Sequence, residues 1–129
     1  MLHSPLNIFH LLSQTIGSAL GLGKTFAQTL KSNLDLNKTQ IACKKVCLDS
    51  GLKLKDESAG EASFGLVASE PMKWLSTNWP NSITISGEVF EDRVLVKLSA
   101  TSAGTSLTQD KNISDFLDNF ATSLNAYVS

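Results

Sequence analysis

The run Gly17-Ser18-Ala19-Leu20-Gly21-Leu22-Gly23-Lys24-Thr25 ends as a phosphate-binding loop ends. Such a loop needs a glycine, four residues and then Gly-Lys-Ser/Thr, so that backbone N–H groups wrap the phosphate while the lysine reaches its outer oxygens. The place of the first glycine falls on Ser18. The loop should also follow a buried parallel strand, whereas residues 5–16 read as an amphipathic helix, so the glycines are read as permitting a helix break or close helix packing. His3 and His10 have no cysteine, acid or further histidine within reach to complete a metal site or a nucleophile and base pair, and read as surface residues. Cys43 and Cys47 lie one helical turn apart; with no other cysteine in the chain they read as reduced core thiols, not as half of a zinc site. The acid pairs Asp56-Glu57, Glu91-Asp92 and Asp115 with Asp118 fall in turns or on the exposed side of the last helix, where solvation accounts for them. No catalytic residue, metal or cofactor is therefore expected. Trp74 and Trp79, near Pro71 and Pro80, cap the core, line the mouth of a cavity or form a partner-binding hot spot.

The elements that would position these residues belong to a chain of 129 residues with a net charge of −1, 42% hydrophobic and 18% charged. That size builds one ordinary core without disulfides, and the near-zero charge argues against a dedicated nucleic-acid binder. Residues 1–23 hold no Lys or Arg, and His3, Asn7, His10, Ser13 and Gln14 interrupt the apolar residues. The start therefore reads as mature protein, with no secretory signal and no membrane span. A cytoplasmic location is expected. Charge is segregated: residues 24–55 carry seven Lys against Asp35 and Asp49, while residues 56–129 carry four cations against ten acids. The split reads as solvated faces of unlike sign, as a means for the two halves to attract each other, or as the mark of a basic surface near the helices.

Ser4-Pro5 has the form of a helix start, and Phe9, Leu12, Ile16, Leu20, Gly23, Ala27, Leu30 and Leu34 recur at three- and four-residue steps. This predicts an N-terminal amphipathic helical segment within residues 1–36, as one helix or as a pair broken near Gly21-Leu22-Gly23. An α+β domain over 37–129 follows. Asn37-Lys38-Thr39-Gln40 has capping-box spacing and Gly51 is a natural stop, giving a helix over roughly 38–50. Ala42, Cys43, Val46 and Cys47 form one apolar face; Ile41 and Leu48 point nearly the opposite way with Lys44 and Lys45 between. Two apolar faces imply a helix lying on a sheet with the N-terminal helix across its back.

After Gly51 the period becomes 2. Leu52-Lys53-Leu54-Lys55 and the alternating Ala62, Phe64, Leu66 and Ala68 predict a hairpin, with Asp56 to Gly60 as its polar turn. Ile83, Ile85 and Val89 mark a third strand, and Val94, Val96, Leu98 and Ala100 a fourth, turned at Glu91-Asp92. Asp110 as N-cap opens a last helix whose stripe is Ile113, Phe116, Leu117, Phe120, Ala121, Leu124, Tyr127 and Val128. The expected class is α+β: a four-stranded antiparallel meander with helices on one face, in the order α-α-β-β-β-β-α. Val67, Phe90 and Leu95 relieve an otherwise polar opposite face, which is either solvated or partly used for association.

Residues 38–128 resemble a group of small bacterial α+β domains of unknown function. The resemblance rests on Ser50-Gly51-Leu52-Lys53-Leu54, on Trp79 ahead of Ser82-Ile83-Thr84-Ile85, and on Lys111-Asn112 ahead of Ile113 and Phe116-Leu117. Of the Asp-Trp-Gly-Lys-Asn run typical of the group before its last helix, this chain keeps the final two residues. The resemblance implies a fold and no activity.

These features lead to an expectation of a non-catalytic interaction or assembly domain, its partner a protein or a second copy. Phe9, Leu12, Ile16 and Leu20 of the N-terminal stripe are the expected association face of a homodimer. The alternative is a module binding a small apolar ligand between the sheet and the last helix, with Trp74 or Trp79 at the entrance.

Overall fold

Alternation of large apolar and small or polar side chains sets the sheet. Phe64, Leu66 and Ala68 are buried while Gly65, Val67 and Ser69 between them are partly open, and Val94, Val96, Leu98 and Ala100 repeat the pattern. In the computed structural model, which describes residues 14–17, 24–71, 80–102 and 107–129, six strands and two helices follow one another. They are β1 (Gln14–Gly17), β2 (Lys24–Ser32), α1 (Leu36–Asp49), β3 (Lys53–Ala59), β4 (Ser63–Ser69), β5 (Asn81–Phe90), β6 (Arg93–Ser102) and α2 (Leu107–Val128). The strands form one sheet in the order β1-β2-β6-β5-β4-β3, antiparallel throughout. Both helices pack on one face of it. The class is α+β with an antiparallel sheet, and the order is β-β-α-β-β-β-β-α.

The N-terminal helix expected within residues 1–36 is corrected where the chain is described: Gln14–Gly17 and Lys24–Ser32 are strands. The reason lies far along the chain. β6 has β5 on one side only, and β2 supplies the other from Thr25 opposite Thr101 to Ser32 opposite Val94, satisfying a row of backbone groups that would otherwise face solvent. Gln28, Leu30 and Ser32 face the helices. β2 therefore belongs to the same sheet as the strands of the 37–129 region. Residues 1–13 and 18–23, including Phe9, Leu12 and Leu20, lie outside the described residues.

The cap of α1 is Asp35, not Asn37: its Oδ1 accepts from the Lys38 N–H at 2.7 Å, and a carboxylate satisfies an orphan N–H at a helix start well. At the other end Gly51 takes φ 77°, the Gly51 N–H reaches the Leu48 carbonyl at 3.0 Å and the Leu52 N–H the Cys47 carbonyl at 2.9 Å. This paired closure is the glycine stop anticipated from sequence. β2 and α1 are locked by the buried hydroxyls of Ser32 and Thr39, hydrogen-bonded at 2.7 Å, with the Leu34 N–H donating to Ser32 Oγ at 3.1 Å. The Asn33 N–H ties the connection to the Val128 carbonyl at the end of α2 at 2.8 Å.

The residues expected as a polar turn, Asp56 to Gly60, are instead mostly strand; β3 runs to Ala59 and the turn begins at Gly60. Polarity there reflects an edge position, since every residue of β3 is exposed, and the ladder with β4 shifts register between Leu54 and Asp56. Glu57 turns to the helix side, accepting from Gln40 Nε2 at 2.7 Å and from Lys44 Nζ at 3.1 Å. α2 starts at Leu107, so Asp110 and the Lys111-Asn112 pair lie inside the helix, not ahead of it. Of its expected stripe, Ile113, Leu117, Phe120, Ala121, Leu124 and Val128 are buried, Phe116 is partly buried and Tyr127 is exposed. Asp118, expected on the exposed side, is half-buried and accepts from Nε2 of the buried Gln28 at 2.6 Å.

Candidate interaction surface

Phosphate chemistry is not supported where the described residues reach it. Gly17 ends β1 and pairs with Lys24 at the start of β2, so Lys24 and Thr25 lie in a strand antiparallel to β1. A phosphate loop leads into a helix whose N-terminal N–H groups face the anion. Among the described residues no group of three or more His, Cys, Asp or Glu could hold a metal ion. Nor is any described helix long and apolar enough to cross a membrane.

Cys43 and Cys47 are free and buried on the sheet-facing side of α1. Burial, aided by the neighbouring Cys47 thiol, pushes Cys43 from 9.0 up to about 12, and burial pushes Cys47 up to about 11. A raised thiol pKa holds the proton more tightly in the folded state. Its stabilising contribution is complete below pH 9.0, the unfolded value, and is lost as pH climbs from there towards about 12. Thermal stability is accordingly expected to fall on the alkaline side of pH 9. At pH 8 iodoacetamide should alkylate the native thiols at least about 100-fold more slowly than in denaturant. Rapid native labelling would show that the thiols are accessible anions.

Among the described residues, Leu54 of the edge strand β3 is 37% exposed, and two further places leave apolar side chains more open. The first is the tip of the β5–β6 hairpin, where Val89 is 48% and Phe90 56% exposed. Val89 was expected to continue the buried face of Ile83 and Ile85, but it lies past the helices that cover them. Glu91 turns the hairpin with φ 59°, a left-handed conformation in which a side chain is strained. An open depression of about 340 Å³ beside it is lined by Lys31, Phe90, Glu91, Asp92, Arg93 and Leu95. Glu91→Gly removes the Cβ conflict and is expected to stabilise the fold by about 1 kcal/mol. A higher urea midpoint with an unchanged slope would register this; a lower one would place the turn outside the strained region.

The second place is the outer face of α1. Ile41 is 57% and Leu48 68% exposed, and helical geometry sets Lys38 and Lys45 on the same stripe at three- and four-residue steps. The helix expected across this face is not there among the described residues. On a different side of α1, an open groove of about 380 Å³ between α1 and α2 is lined by Val46, Asp49, Ser50, Ser123, Ala126 and Tyr127. Tyr127, 41% exposed, forms its lip and donates its hydroxyl to Asp49 Oδ2 at 3.2 Å.

Of the association and binding residues expected from sequence, Phe9, Leu12, Leu20, Trp74 and Trp79 lie outside the described residues. Ile16 lies in β1, in a strand and not a helix. The structure brings forward others: Phe90, on the face noted for its apolar exceptions, and Ile41 with Leu48, the second apolar face of their helix. Both were visible as breaks in pattern.

No family model and no curated protein matches the sequence. Among solved structures, CalU16 from Micromonospora echinospora is similar over 91% of this chain and 83% of its own, with a TM-score of 0.58 and 10% identity. The vertebrate conserved region of human METTL16 aligns over 70% of this chain and 75% of its own, with a TM-score of 0.46 and 15% identity. The likeness to CalU16 is one of fold, and at that identity it is of fold alone.

Proposed function

We propose that this protein is a non-catalytic protein-interaction or assembly domain. The observation that carries the reading is the exposure of Val89 and Phe90 on a turn held by a strained Glu91, away from the core. Apolar side chains presented this way, with strain retained at the turn beneath them, suit a partner contact better than a solvated loop. The alternative, an apolar ligand between sheet and α2, gains no support from the described core. Ile113, Leu117, Phe120 and Leu124 fill that space against Ile83, Ile85 and Leu98, so a ligand would have to displace packed side chains.

The test is size-exclusion chromatography of fresh extract from cells that make the full chain. The wild type is expected to elute well above its 13.9 kDa mass, and Phe90→Ser to elute as monomer. A wild-type monomer in extract, or an assembly indifferent to Phe90→Ser, overturns the reading.

A further inference from the structure

Strand register gathers charges of both signs around one apolar surface. On the sheet face that the helices leave open, Leu95 of β6 stands opposite Lys31 of β2, and Arg93, two residues along, stands opposite Phe90 of β5. The turn between Phe90 and Arg93 adds Glu91 and Asp92 to the lining of the same depression, about 340 Å³ in volume. Two cations and two acids therefore share it with half-buried Leu95 and exposed Phe90. Among the described residues no ion pair joins Arg93 to Glu91 or Asp92, although the three follow one another in the chain. Glu88, on the far side of Leu95, has Lys97 3.9 Å away, so that pair leaves the balance of the depression unchanged. Glu91 carries its carboxylate at φ 59°, where a glycine would sit without strain.

Going beyond the interaction reading and not depending on it, we infer that this depression binds a small zwitterion with an apolar body, the class of the free apolar and aromatic α-amino acids. A lone anion drawn by Lys31 and Arg93 would be set against Glu91 and Asp92, and a lone cation drawn by the acids would be set against Lys31 and Arg93. A ligand with one charge of each sign meets all four favourably. Its carboxylate turns to Arg93, whose planar guanidinium can donate two parallel bonds, and to Lys31; its ammonium turns to Glu91 and Asp92. Its side chain lies on Leu95 and Phe90 and takes apolar surface of both out of water. Ion pairs at an open surface are individually weak, so neither half of the ligand suffices alone. For about a dozen non-hydrogen atoms on so open a site, dissociation at about 1–10 mM is expected.

Amide NMR titration of the purified full chain decides the matter, with three probes that differ only in charge, each taken to about 30 mM so as to bracket such an affinity. They are L-phenylalanine, N-acetyl-L-phenylalanine, which lacks the ammonium, and L-phenylalaninamide, which lacks the carboxylate. The zwitterion is expected to shift the amide signals of Lys31 and of Phe90 to Leu95 in a saturable way, and each singly charged probe to bind at least about 5-fold more weakly. Arg93→Gln and Asp92→Asn alter exposed side chains, should leave circular dichroism unchanged, and should each weaken L-phenylalanine at least about 5-fold. Lys55→Gln, an equal loss of charge on the edge strand β3, should not. The absence of saturable shifts at these residues overturns the inference. So does equal binding of the three probes, and so do Arg93→Gln and Asp92→Asn chains that bind as the wild type does. None of these results bears on assembly in extract, which Phe90→Ser tests separately.

Discussion

Phe120→Ala is expected to destabilise the fold by about 3–5 kcal/mol and to lower the melting temperature by roughly 10–20 °C. Phe120 lies midway along α2 and is among the largest fully enclosed side chains in the protein. Its ring sits in the one cluster that joins α1, α2 and the covered face of the sheet. Alanine removes most of that side chain and leaves a void that neighbours such as Leu117 and Leu124, themselves enclosed, cannot collapse to fill. Ser123→Ala, one helical turn on and exposed, is the matched control and should change stability by less than about 0.5 kcal/mol. Urea unfolding of the pair would separate them clearly, and a loss below about 1 kcal/mol for Phe120→Ala would mean that α2 does not seat as described.

Gly87→Ala is expected to cost about 2–3 kcal/mol although it adds one methyl group. Gly87 lies directly opposite Phe64 in the β4–β5 ladder, and the Phe64 ring lies across its backbone. A Cβ at position 87 would stand 2.6 Å from Phe64 Cζ, closer than any real contact allows. The ring is buried and has little room to retreat. The cost should shrink to under about 1 kcal/mol when Gly87→Ala is made in a Phe64→Leu background, because residues in contact couple and the smaller side chain clears the methyl. Additive losses in the double variant would show that the ring and the glycine do not touch.

The difference between these sites and β2 explains how far the fold was legible. β4, β5 and β6 place large apolar residues on one face and small or polar ones on the other, and α2 keeps a continuous stripe, so both periods can be read directly. In β2 the inward positions are Phe26, Gln28, Leu30 and Ser32, and two of the four are polar. Their burial is made tolerable by partners distant in the chain, Asp118 for Gln28 and Thr39 for Ser32. With the period of two disguised, Ala27, Leu30 and Leu34 suggested a helical stripe that the backbone does not follow. Local pattern cannot disclose a strand whose polar residues are satisfied only in the finished fold.

The candidate surface was legible in a similar, partial way. Ile41 and Leu48 stood out as a second apolar face because they break the single stripe of a surface helix, and Phe90 as an apolar residue on a polar side. Assigning the N-terminal segment as the cover of α1 followed from reading it as a helix, and that reading does not hold for Gln14–Gly17 and Lys24–Ser32, which are strands. The strained turn at Glu91 left no trace in composition, since glutamate carries no preference for a positive φ.

The pairing of β2 with β6 also governs when the protein can become itself. Ser32 must wait for Val94 and Thr25 for Thr101, so during synthesis β2 emerges roughly 60–80 residues ahead of the strand that completes it. Closing so long a loop is entropically slow, and until it closes Leu30 and Gln28 lack the β6 and α2 neighbours beside which they are buried. The nascent chain thus spends its growth with an unfinished sheet, and the last helix to appear, α2, is the one that seals it.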